Sequence, residues 1–183
     1  MVLSGPSGVG KTSLARQVLT QVDGLFSISV TTRPRSPQEA DGVDYHFVDD
    51  ASFLEMVQSD ALLEHAEVFG KHRYGTPRAP VEAEIDAGRI VILDIDVQGA
   101  QQIRTSLPNA LMLFIEPPDE GDLEARLRRR GRDEEEAIQR RLAEARNERN
   151  FAHESGIYDG FVVNAELEAA ATEILRHIHH HRG

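Results

Sequence analysis

The stretch 1-MVLSGPSGVGKTSLARQVL-19 decides how the chain is read. "MVLS" is a short apolar run, "GPSGVG" a glycine-rich turn, and the segment from Lys11 to Val22 carries Leu14, Val18 and Val22 on one helical face. Strand, loop and helix thus surround the spacing G-x-x-x-x-G-K-[ST], filled by Gly5, Gly10, Lys11 and Thr12. Glycines let the backbone curl its N–H groups inward around an anion. The lysine brings charge to terminal phosphates, and the threonine offers a hydroxyl to Mg²⁺ at a helix N-terminus. Gly5, Ser7, Gly8, Val9, Gly10, Lys11, Thr12 and Ser13 are therefore expected to hold ATP, against the alternative of a turn that only opens a helix.

A phosphate loop of this kind needs a carboxylate at the end of a neighbouring buried strand. "RIVILDID" (89–96) is nearly continuous apolar sequence, as in a parallel strand covered on both faces, and ends in Asp94 and Asp96. Alternate strand residues point the same way, so both can reach the site. Asp94 with Thr12 is the expected Mg²⁺ position; either aspartate could instead cap the helix that follows.

Further along, 25–30 reads as a second strand, 31–44 as an exposed loop and "YHFV" as a strand. Asp50 is expected to cap a short helix through Val57, "LLEHAEVF" and "HRYG" to complete a small sheet, and Pro80 to open a helix ending near Gly88. A helix over 98–107, a buried strand in "ALMLFIEPP", a helix from Asp119 to Arg130 and a longer one capped by Asp133 with Glu136 follow. "GFVVN" is the last strand. A helix over 167–179 turns Leu167, Ala171, Ile174, Leu175 and Ile178 inward, and the histidine-rich end is expected to fray. Strands alternating with helices predict an α/β fold with a mainly parallel sheet.

The 183 residues fit one domain, and no apolar run approaches the roughly 20 residues of a membrane span. With no cysteine and no recognisable signal segment, the cytoplasm is the expected compartment. A net charge of −11 argues against a nucleic-acid partner, although nine of the twenty Lys+Arg fall between Arg126 and Arg149.

The segments "GPSGVGKT", "SISVTTR", "DGVDYHFV", "LLEHAEVFG…YGT", "ILDIDVQG", "RLRRRG…QRRL" and "FVVN" together resemble the guanylate kinase family of P-loop nucleoside monophosphate kinases over nearly the whole chain. The resemblance implies a P-loop NTPase-type parallel sheet flanked by helices (1–31, 79–118 and 151–183), an inserted mixed GMP-binding subdomain (32–78) and a helical lid (119–150). It implies ATP-dependent phosphorylation of GMP, and of dGMP, with Mg²⁺, by a monomer or homodimer. Arg33, Tyr45 and Tyr74 would hold the GMP phosphate; Ser29, Glu64, Thr76 and Asp96 would surround the guanine. Lys11, Arg33, Arg130 and Arg141 would neutralise charge during transfer, Gly131 would serve as lid hinge, and Asn164 would lie near the adenine or start the next turn.

Two features depart from the family pattern. Its second phosphate-binding arginine would fall on Ser36, and Arg35, one place early, is expected to serve through loop adjustment. "GKHRYGT" is one residue long, so a bulge is expected in that hairpin, with Arg73 exposed. Outside the leading reading stand a sugar-phosphate kinase and a guanylate-kinase-like peptide-binding module. Glu64, Thr76 and the two tyrosines weigh against the first, and Lys11–Thr12 with the arginine-rich lid against the second. A GTPase is disfavoured because no N-K-x-D is present.

Overall fold

The computed structural model describes residues 1–68, 70–129 and 134–182, with the backbone alone at Val68. Five parallel strands form the main sheet in the order β2-β7-β1-β8-β9: β1 (Val2–Ser4), β2 (Gly24–Phe26), β7 (Ile90–Asp94), β8 (Met112–Glu116) and β9 (Gly160–Val163). Their near-continuous apolar sequence is explained by burial on both faces. Leu3, Ile92, Leu113 and Ile115 point to one side, where α1 (Lys11–Leu19) and α7 (Leu167–Arg182) cover them with Leu14, Val18, Ala171 and Ile174. Val2, Val91, Leu93 and Met112 point to the other and meet α3 (Arg78–Asp86) and α4 (Val97–Ser106) through Val81, Ala100 and Ile103.

A second sheet, β4-β3-β6-β5, stands beside the first. It contains β3 (Val30–Thr31), β4 (His46–Phe47), β5 (Leu62–Val68) and β6 (His72–Pro77). β5 and β6 form an antiparallel hairpin, β3 joins β6 antiparallel, and β4 runs parallel to β3. Its own small core gathers Val30, Phe53 and Leu62 under α2 (Asp50–Gln58). Two further helices, α5 (Glu120–Arg129) and α6 (Glu135–Ser155), pack through Leu123, Leu127, Ile138 and Leu142.

Several expectations are corrected. The run 25–30 is not one strand: β2 ends at Phe26 and β3 begins at Val30 in the other sheet, because Ser27 still bonds Ile92 O (2.9 Å) before the chain crosses. The cap of α2 is Asp49, whose carboxylate accepts the Ser52 N–H at 2.7 Å, and Asp50 is the first helical residue. α3 opens two residues before Pro80, which sits in the first turn where its missing N–H leaves no bond unmade. Pairing is regular from Val68↔His72 to Glu64↔Thr76, so the bulge expected around Tyr74 is not there; a register shift lies instead on the opposite strand, between Leu62 and Glu64. α7 runs on to Arg182 instead of fraying: His181 Nε2 lies 2.8 Å from Asn109 O, and Arg182 donates to Gly88 O at 2.9 Å. Leu167, expected inside, is exposed at the head of that helix. The expected cap Asp133 and hinge Gly131 lie outside the described residues. Among the described residues, no helix is long and apolar enough to cross a membrane.

Leu113 is fully buried at the centre of the main sheet. Leu113→Ala is expected to lower unfolding stability by about 3 kcal/mol, through lost transfer energy and the cavity left behind. Urea denaturation of the two proteins measures it.

Candidate active site

Parallel strands end at one edge, and the loops leaving that edge build the site. Between β1 and α1 the backbone takes left-handed turns at Gly8 and Gly10, with Gly10 at φ 102° as the residue before the helix. A side chain at Gly10 would also meet the Asn164 amide, with its Cβ 2.5 Å from Nδ2, and one at Gly5 would run into the Ile115 carbonyl of β8. Only glycine fits both the turn and the space. The loop is fastened from behind: Val9 O accepts from Asn164 Nδ2 (2.7 Å) and from Arg126 Nη1 (3.0 Å), while Arg126 Nη2 donates to Asn164 O (2.7 Å). Asn164, only 5% exposed at the end of β9, is thus a brace for the loop, and Arg126 of α5 is a second brace that no sequence pattern singles out.

On the open side, Lys11 Nζ donates to Gly5 O at 2.6 Å and stands 3.6 Å from Asp94 Oδ1. Thr12 Oγ1 donates to Asp94 Oδ2 at 2.8 Å. Asp94 and Asp96 divide the two roles open to them: Asp94 meets the loop, while Asp96 caps α4 by accepting the Gly99 N–H at 2.8 Å. Thr12 and Asp94 supply two hard oxygen donors side by side, which fits Mg²⁺, an ion that takes one or two protein oxygens and completes its shell with phosphate and water. Ser7 and Ser13 flank the loop; Val9 is buried beneath it.

A cleft of about 570 Å³ separates this loop from the second sheet, lined by Gly5, Ser7, Lys11 and Asp94 on one side and by Ser29, Tyr45, Glu64 and Tyr74 on the other, with Asp96 between. Glu64, on β5, is only 4% exposed and faces Thr76 on β6, its direct cross-strand partner. Thr76 Oγ1 donates to Glu64 Oε1 at 2.6 Å, and Gly99 of α4 leaves room for Oε2. Burial pushes the Glu64 carboxyl up to about 7; the Thr76 bond opposes that rise and the nearby Asp96 charge adds to it.

Tyr45 and Tyr74 meet edge to face at 5.8 Å, and Arg33 lies over Tyr45 while its Nε donates to the Tyr74 hydroxyl at 3.1 Å. Burial holds the Tyr45 phenol up at about 12, so it remains a donor. Arg35 stands apart: it is exposed, contacts Glu39 O at 3.4 Å, and does not line the cleft. Arg73, also in this sheet, turns to Asp50 on α2 (2.8 Å).

α6 closes the cleft with Arg141, Glu144 and Glu148. Arg141 Nη1 donates to Ser7 Oγ at 3.2 Å, bringing it to the phosphate loop. The helix is tied to the core by Arg149 and His153 on Glu116 (3.0 and 2.9 Å) and by the Arg146–Glu120 pair. Arg130 lies outside the described residues. Glu148, not anticipated, is pushed up to about 7 by burial, with Lys11 opposing. Its position seven residues after Arg141, on the same helical face, is the signal in the sequence that points to it.

The model of the guanylate kinase family matches residues 1–181. Guanylate kinase of Thermus thermophilus is 47% identical over 174 residues, covering 95% of this chain and 77% of that protein. Guanylate kinase of Nitrobacter hamburgensis is 49% identical over 175 residues, covering 94% and 78%. The crystal structure of guanylate kinase from Anaplasma phagocytophilum superposes with a TM-score of 0.74 at 35% identity, over 97% of this chain and 82% of that one. These matches span nearly the whole chain, which belongs to the guanylate kinase family, as an enzyme of the nucleoside monophosphate kinase class.

Proposed function

We propose that the chain transfers the γ-phosphoryl group of ATP to GMP, and to dGMP, giving ADP and the diphosphate. The observation that carries this reading is Glu64, a buried carboxylate across the cleft from the phosphate loop. Guanine presents N1–H and the N2 amino group side by side, and an ionised carboxylate accepts both. Those donors would take the place of the Thr76 hydroxyl on Glu64, freeing that hydroxyl to donate a hydrogen bond to the guanine O6. Ser29 and Asp96 complete this end of the cleft. Adenine offers no N1–H and would leave the buried carboxylate partly unpaired, a mismatch able to support discrimination of several orders of magnitude.

ATP would lie on the other side, its phosphates in the Gly5–Ser13 loop. Lys11 then exchanges the Gly5 carbonyl for phosphate oxygen. Thr12 and Asp94 would hold Mg²⁺, which supplies charge neutralisation on the phosphates. Arg33, Tyr45 and Tyr74 would grip the GMP phosphate without Arg35, which is exposed and lies outside the cleft. An oxygen of that phosphate attacks the γ-phosphorus in line, and the bond to the β-phosphate oxygen breaks as ADP leaves. The attacking oxygen is already anionic, so no general base is assigned. Lys11, Arg33 and Arg141, with Arg130 on the lid, would offset the charge on the transferring group, and Asn164 supports the loop beneath. Residues 32–78 and 119–150 serve as the GMP-binding subdomain and the lid, whose closure would exclude competing water.

ADP release from Mg²⁺·ATP with GMP, AMP or ribose 1,5-bisphosphate as acceptor tests the reading. Turnover with GMP is expected to exceed that with AMP by about 100-fold or more in kcat/KM, and Lys11→Met is expected to remove it. Turnover with the sugar phosphate alone would overturn the guanine assignment.

Glu64 also sets a pH dependence. Below about 7 it carries a proton and cannot accept twice, so KM for GMP is expected to fall as pH rises from 6 to 8. GMP's own phosphate ionises at about 6, and Glu64→Gln, measured alongside, removes only the protein's share. Stability runs the opposite way. Burial favours the neutral acid, so folding loses stability between the ordinary carboxyl value of 4.5 and about 7. The melting-temperature advantage of Glu64→Gln is therefore expected to grow from pH 5 to pH 8.

A further inference from the structure

Arg33 is not bare where the acceptor phosphate would arrive. Its Nη2 donates to Glu39 Oε1 at 2.6 Å and its Nη1 to Glu39 Oε2 at 3.0 Å, with a further bond from Nη1 to Pro34 O at 3.1 Å. The same Oε2 accepts the Ser36 N–H at 2.9 Å, so Glu39 folds the 33–39 loop back on itself. Both side chains are about three-quarters shielded, and the paired guanidinium holds the Glu39 carboxyl down at about 2, ionised throughout the working range.

A guanidinium has two usable edges: the end, between Nη1 and Nη2, and the side, formed by Nε and Nη2. Glu39 takes the end edge. The side edge points to the Tyr74 hydroxyl through Nε, and the second N–H of Nη2 has no protein acceptor among the described residues. The aromatic rings of Tyr45 and Phe47 lie against the guanidinium, with its carbon 5.4 and 5.8 Å from the centroids. Carboxylate and phosphate therefore need not compete: they would occupy different edges of one planar cation.

We infer that Glu39 is a positioning residue for the acceptor phosphate, holding the end of the Arg33 guanidinium so that its side edge stays turned to Tyr74 and Tyr45. This rests on the reading of the cleft as the GMP site. Ser36 stands where the family pattern puts a second arginine. Here that residue's backbone N–H is bound to Glu39, and Arg35 remains outside the cleft. The phosphate grip of this chain then depends on one well-oriented arginine.

The test is steady-state kinetics on Glu39→Gln, Arg33→Ala and the double variant, with thermal melting of each. Glu39→Gln keeps the shape and loses one acceptor and the charge. It is expected to raise KM for GMP about tenfold, while KM for ATP and the melting temperature stay near those of the parent. In the Arg33→Ala background the same change is expected to add nothing to KM for GMP. An unchanged KM for GMP would overturn the proposal, and so would a lowered one, which would make Glu39 a competitor that the phosphate displaces. Equal effects in both backgrounds would also overturn it, since Glu39 would then act elsewhere. Arg33→Ala without effect on KM for GMP would separately refute the phosphate site itself.

Discussion

Lys11 stands with its ammonium 2.6 Å from the Gly5 carbonyl and 3.6 Å from Asp94, and this short span joins the end of β1 to the end of β7. The pair exists because the two strands are neighbours in a parallel sheet and finish at the same edge. The same edge receives β8, whose Ile115 carbonyl forbids any side chain at Gly5, and β9, whose Asn164 holds Val9 O. The loop's shape is thus set by the strands and helix around it before any anion arrives. Such preorganisation matters in phosphoryl transfer, where placement and charge neutralisation supply most of the catalysis.

The facing wall works differently. Glu64 sits in a nearly dry position where ionisation is disfavoured, held by Thr76 and crowded by Asp96. A group of that kind adds nothing to fold stability at neutral pH. Once ionised, such a carboxylate accepts two donors at adjacent positions, the pair that guanine presents in N1–H and its N2 amino group. Arg33 shows the reverse, a cation already half satisfied by Glu39.

What is legible in the sequence is local. The phosphate loop, the apolar strands on either side of it and the acidic end of β7 are contiguous patterns, and each gives its structure without reference to the rest. The change of sheet between Phe26 and Val30 has no such signature, since both halves of 25–30 look equally strand-like and only the pairing separates them. Two aspartates in tandem leave the cap of α2 ambiguous by one residue. The tail reads as frayed because its anchors, Asn109 and Gly88, are more than 70 residues away. Glu39 and Arg126 escape for a similar reason: their roles depend on what tertiary folding sets beside them, and an isolated charged residue reads by default as solvated. The resemblance to a family supplies the acceptor residues that spacing alone leaves unassigned.

The central claim is that one cleft holds a nucleotide's phosphates on the Lys11 side and a guanine on the Glu64 side. A crystal structure of the protein with GMP, Mg²⁺ and a non-hydrolysable ATP analogue tests it most directly. The account predicts guanine N1 and N2 within about 2.6–3.2 Å of the Glu64 carboxylate, the GMP phosphate on Arg33, Tyr45 and Tyr74, and Lys11 moved from Gly5 O to phosphate oxygen. GMP bound with its base away from Glu64, or Thr76 still the carboxylate's sole partner, would contradict it.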